Sequence, residues 1–212
     1  QSHGGMVGNL YIRGAAGNNT NVGVTTFSGA AEFDGDARFD STITAGGGTG
    51  NTGQYLKSTG SGVAWANAGI TMADQWRVTS SSTLPGSVSI LNSNWARVAS
   101  PSGYGNLGSA MSESSGAFTF PATGIYYVEF TILISMTQSA RYLGNRIQTS
   151  TDNFSSANTV AETLGHMALT NSFGAYHTST SSFIFDVTNT STHKVRFCGV
   201  SITPSATSVI GN

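Results

Sequence analysis

Between Ile125 and Met136 the chain reads IYYVEFTILISM, and its two alternating faces are unlike. The even positions, Tyr126, Val128, Phe130, Ile132 and Ile134, are wholly apolar, as a strand face turned into a core requires. The odd positions are Ile125, Tyr127, Glu129, Thr131 and Leu133. That face is too apolar for open water and too polar for a core, a composition that suits a subunit interface. Period two recurs in SFIFDV at 182–187, where Phe183, Phe185 and Val187 alternate with Ile184 and Asp186. This run passes through TNTSTH into KVRFCGV, and the pair reads as a hairpin. Further strands are predicted near 74–79, 95–99, 117–120, 142–149 and 159–169. Eight to ten strands between 70 and 212, joined by Ser, Thr and Gly turns, predict a β-sandwich or jelly roll.

The N-terminal third has a different texture. Residues 1–21 are rich in Gly and Asn, with one short apolar patch at Leu10, Tyr11 and Ile12; they read as a flexible lead or a docking strand. In 22–45 a ring recurs every six residues, at Phe27, Phe33 and Phe39. Six is even, so in an extended chain all three rings point the same way. One strand cannot shield such rings from water, whereas three copies wound together can, with the rings on a common axis. The spacing therefore predicts a trimeric shaft, the alternative being an ordinary amphipathic strand pair.

The stretch GGGTGNTGQYL contains Gly48, Gly50 and Gly53 in the GxGxxG spacing of a dinucleotide loop. Such a loop needs a helix starting at its third glycine, so that backbone N–H groups point at the pyrophosphate. Only six residues separate Gly53 from Gly60, and no acidic residue follows about 20 positions on, so the nucleotide reading fails. Residues 46–69 instead predict a neck with a small hairpin across which Tyr55 and Trp65 pack.

Composition sharpens the picture. Charged residues make up 9% of the 212, against roughly 25% in ordinary domains. The surface must be Ser, Thr, Asn and Gly, which compete for backbone hydrogen bonds and disfavour helix interiors. An all-β protein follows. The formal charge is −1 and the arginines are scattered, so no nucleic-acid partner is expected. The longest apolar run is about 12 residues and carries Glu129, too short for membrane insertion by a helix. Cys198 is the single cysteine and reads as a small half-buried strand residue.

Enzymatic signatures are missing from the pattern. No acid pair has glycosidase spacing, and there is no GxSxG elbow. Glu162 and His166 lie four apart without a second ligand histidine, and read as a polar pair on one face of a strand. His3, His166, His177 and His193 show no ligand spacing. Catalytic residues, metal and cofactor are all expected to be none.

The segment SGAFTFPATGIYYVEFTILI, with Phe118, Phe120, Pro121, Gly124, Tyr126, Val128 and Phe130, resembles the complement-globular-head and tumour-necrosis-factor superfamily. FIFDVTNTSTHKVRF is similar to that family's penultimate hairpin, and WARVA at 95–99 to an early inner strand. The resemblance covers about residues 70–212 and implies a ten-strand jelly roll assembled as a homotrimer. GQYLKSTGSGVAWA resembles a phrase common near junctions of bacteriophage fibre proteins. Together these imply the distal part of a bacteriophage fibre, located on the virion. It would bind another virion protein at its N-terminal end and attach to a host cell-surface glycan or protein at its tip. A head fibre or capsid decoration protein without a specific receptor is the alternative, with a capsular-polysaccharide depolymerase behind it.

The expected trimer-interface residues are Phe27, Phe33 and Phe39 in the shaft, with Tyr127 and Leu133 in the tip. In the resembled jelly roll both termini lie at the base, so loops near 137–141, 170–176 and 201–206 are expected at the distal end. They offer Gln138, Arg141, Asn171, Phe173 and Tyr176 as receptor contacts, the aromatics for stacking and the others for hydrogen bonding. Phe173 and Tyr176 read equally as core residues at a strand start.

Overall fold

The computed structural model describes residue 36 and residues 42–98, 105–169, 174–203 and 207–211. The chain divides into two units, Gln1–Ala66 and Asn67–Asn212. Phe27, Phe33 and Phe39, and with them the shaft expectation, lie outside the described residues.

In the first unit, Ala45 and Gly48 exchange backbone hydrogen bonds of 2.8 and 3.2 Å around a tight turn. Gly53 then leads directly into β1 (Gln54–Ser58), which pairs with β2 (Val63–Asn67) as a two-stranded sheet. A strand, not a helix, follows the glycine motif. The expected packing of Trp65 on Tyr55 is not what forms. Trp65 lies over the glycine loop: its indole N–H donates to the Gly48 carbonyl at 3.1 Å. A Cβ on Gly50 would sit 2.5 Å from the Trp65 ring. Only glycine permits that approach, and at φ 71° only glycine adopts the backbone without strain. The glycines serve an indole, while Tyr55 stays exposed.

In the second unit the described residues form twelve strands. They are β3 (Trp76–Val78), β4 (Ser82–Thr83), β5 (Val88–Ile90), β6 (Trp95–Arg97), β7 (Ser112–Ser114) and β8 (Ala117–Thr119), then β9 (Gly124–Met136), β10 (Ala140–Ser150), β11 (Asn158–Met167), β12 (Ala175–Val187), β13 (Lys194–Val200) and β14 (Thr207–Val209). The surplus over the expected eight to ten consists of strands of two or three residues. No helix occurs among the described residues, and the chain is all-β.

One sheet runs β11-β10-β13-β8-β7, with β5 also on β13; the other runs β12-β9-β14-β4. β3 and β6 form a separate ribbon. Every pairing given by register is antiparallel. This arrangement of two layers around one core is compatible with a jelly roll.

β9 behaves as its alternation requires. Phe130, Ile132 and Ile134 are buried, Tyr126 and Val128 pack at the core's margin, and the odd face is exposed. The core joins them to Leu84, Phe118, Phe120, Leu143, Ile147, Val187 and Val195. Trp95 closes one side, with ring centroids 5.1 Å from Phe118 and 5.7 Å from Phe197. Its N–H donates to the Leu91 carbonyl at 2.6 Å, so the one polar atom of the ring is satisfied.

The β3–β6 ribbon is pinned by charge. Arg97 donates to Asp74 at 2.8 Å through Nε and to the Met111 carbonyl at 2.7 Å, and lies 4.5 Å from the Trp76 ring centre. The Asp74 carboxylate also accepts from the Met111 amide at 2.9 Å. Burial pushes the Asp74 pKa up, but the hydrogen bonds from Arg97 and the Met111 amide outweigh it and hold the carboxyl below its ordinary range.

The expected hairpin between 182–187 and 194–200 does not exist. β12 pairs with β9 in one sheet, and β13 pairs with β10, β8 and β5 in the other. The connection arches across the core, because Phe185 and Val187 must face Val195 and Phe197 from opposite walls. Cys198 is fully buried rather than half-buried, since β13 is a central strand with both faces covered.

Candidate functional site

The strand register gathers several strand ends at one end of the sandwich. Ala140 pairs with Met167, Ala175 with Met136, and Thr207 with Met136. The segments after β9, β11 and β13 therefore leave the sheets on the same side. Two are tied directly, with the Leu169 amide donating to Ser139 Oγ at 2.9 Å. These are the three segments singled out in the sequence. Asn171 and Phe173 lie outside the described residues. Gln138 is exposed in the connection between β9 and β10.

Arg141 and Tyr176 are not brought together. Arg141 sits on β10 and Tyr176 on β12, in different sheets, and both are exposed. Tyr176 is therefore not a core residue, and its neighbour His177 takes the inward position instead. Arg141 instead meets two residues the sequence reading passed over. His166 is its partner across β11, and Tyr142 follows it in the chain.

A β-bulge creates this grouping. Arg141 pairs with His166, but the next pair is Leu143 with Gly165, leaving Tyr142 as the extra residue. Tyr142 has φ 50°, a left-handed conformation that bulky residues rarely adopt. Strict alternation puts Arg141 in phase with Leu143 and Ile147, both buried. The extra residue resolves the conflict: both Arg141 and Tyr142 point outward, and Leu143 still reaches the core. Arg141, Tyr142, Leu164, Gly165 and His166 line a shallow hollow of about 440 Å³.

Beneath the same strand, a Cβ on Gly165 would lie 2.7 Å from His177 Cε1. Further along, Glu162 accepts from Arg146 Nε at 2.8 Å. It shares the outer face of β11 with His166 but is engaged by Arg146. Among the described residues no group of His, Cys, Asp and Glu is arranged to hold a metal ion.

The expected tip-interface residues occupy the outer face of β9. Tyr127 is 67% exposed and stands across from Ile184, which is 65% exposed. Ile125, at 76%, extends the patch, and Leu133 lies at its far end. Between the apolar ends runs a polar belt, in which Thr131 and Thr180 share a hydroxyl hydrogen bond of 2.8 Å.

Neither a known protein-family model nor a curated protein sequence matches the chain.

Proposed function

We propose that the chain is the distal part of a bacteriophage fibre, a homotrimer carried on the virion whose jelly-roll tip attaches to the host surface. The observation that supports this most is the outer face of β9 and β12. Ile125, Tyr127 and Ile184 form an exposed apolar patch, bordered by Asp186 and by Glu129, on a face whose remaining positions are mostly Thr and Ser. Contiguous patches of that kind mark interaction surfaces, and a second copy of the same chain is the simplest occupant. The phenylalanine repeat at 27, 33 and 39 continues the same assembly into a shaft, with an N-terminal lead for docking to another virion protein. The strand ends around Gln138 and Arg141 form the end that meets the host.

Gold-labelled antibody to residues 70–212, applied to phage particles and imaged by electron microscopy, tests this reading. Label on the free ends of tail fibres is the expected result. Label spread over the capsid surface would favour the decoration-protein alternative, and particles without label would end the virion assignment.

A further inference from the structure

We propose that Arg141, Tyr142 and His166 form a binding site for an acidic saccharide, a sugar that carries a carboxylate. The inference rests on the host-attachment reading and names the ligand class of that surface.

Three independent observations converge. The first is the bulge. Tyr142 holds a left-handed φ of 50°, which glycine would adopt without strain and a tyrosine adopts only when its surroundings impose it. The consequence is that Arg141, which regular pairing would have turned inward with Leu143, stands outward beside an aromatic ring 57% exposed. Second, the residues line a shallow hollow of about 440 Å³, open to solvent along β10 and β11. Gly165 contributes no side chain to it, while Leu164 adds apolar surface.

The third is charge. Arg141 makes no hydrogen bond or ion pair among the described residues, and no acid lines the hollow. The only carboxylate on β10 and β11 is Glu162, already engaged by Arg146. A planar guanidinium without a partner matches a carboxylate by two parallel hydrogen bonds. The ring of Tyr142 and the side chain of Leu164 give the apolar face of a sugar a surface to rest on. His166 supplies a further polar contact opposite Arg141. A neutral hexose satisfies the stacking part but leaves Arg141 unmatched, so the site discriminates by the carboxylate.

Saturation-transfer NMR on the purified full chain tests this, with methyl β-glucuronide and the methyl glycoside of N-acetylneuraminic acid as probes. Methyl β-glucoside serves as neutral control and inorganic phosphate as the anion control. At least one acidic glycoside is expected to bind in the millimolar range and the glucoside at least about tenfold more weakly. Arg141→Gln should weaken acidic binding about tenfold or more. Tyr142→Gly removes the ring while keeping the bulge conformation, so it should lose affinity with an unchanged or raised Tm. Equal binding of glucoside and acidic glycosides, displacement of the glycosides by phosphate at equal concentration, or a Tyr142→Gly protein that binds as well as wild type would overturn the proposal. So would absence of binding by both acidic probes. A trimeric protein that labels fibre tips yet binds none of them refutes this site alone. Binding by a monomer that labels no fibre leaves the site standing and refutes the fibre.

Discussion

Asn145 and Ser181 join the two sheets of the sandwich through a hydrogen bond of 2.6 Å, the serine hydroxyl donating to the amide oxygen. The same Asn145 donates through Nδ2 to the carbonyls of Phe130, at 2.7 Å, and Ser179, at 2.9 Å. Thr163 extends the network to Ser181 at 2.9 Å. A buried amide with both N–H groups and its oxygen engaged fixes how the sheets stack. Asn145→Ala removes three bonds at once and leaves partners shielded from water. It should destabilise the domain by about 2–4 kcal/mol, whereas Ser181→Ala should lose about 1 kcal/mol, both read from urea unfolding.

This network also explains what was legible in the sequence and what was not. β9 was readable because its inward positions are all large and apolar. The first half of β12 was not: its inward positions are His177, Ser179 and Ser181, which hydropathy assigns to a surface. The burial of Ser179 and Ser181 is stable only because Asn145 and Thr163, distant in sequence, supply partners. The arch from β12 to β13 was misread for a related reason. Two alternating runs around a short polar loop look the same whether they pair or face each other across a core. At the site, Arg141 was legible as an exposed loop-end cation. Tyr142 and His166 were not, although a signal was present. An arginine in phase with Leu143 and Ile147 demands an extra residue between them.

Gly165 supports a second expectation. With 2.7 Å between its missing Cβ and the His177 ring, Gly165→Ala should force the ring or the strand aside and lose about 1–3 kcal/mol in chemical denaturation. Adding His177→Ala should restore part of the loss. Equal stability of Gly165→Ala and wild type would mean the ring moves freely.

Acid sensitivity should trace to Asp74. Its pKa is lowered in the fold, so it binds a proton more weakly than in the unfolded chain, whose ordinary value is 3.8. The stability it contributes is fully present above that value and is lost as pH falls through the lower folded value. Asp152, held at about 2 by the hydroxyls of Ser156 and Ser150 and by the Ser156 amide, loses its bonds in the same direction. Thermal midpoints of wild type and Asp74→Asn should therefore differ at pH 7 and converge toward pH 2. A gap that stays constant would remove the ion pair with Arg97 from the explanation.

Cys198 should be inert in the native protein. Burial pushes its thiol up to about 11, against a partial lowering by Arg196 and Arg146, and the sulfur is fully enclosed. Alkylation by iodoacetamide at pH 8 should be negligible in buffer and complete in concentrated urea. Rapid native labelling would show that β13 opens locally.

The most direct measurement is sedimentation equilibrium of the purified chain at micromolar concentration. The proposed trimer requires a mass three times the 21.9 kDa of one chain. Tyr127→Asp combined with Ile184→Asp should place charges on the exposed apolar patch and lower that mass while leaving the sandwich folded, since both side chains point to solvent. A wild-type chain that sediments at 21.9 kDa as a folded monomer would contradict the trimer, and with it the fibre.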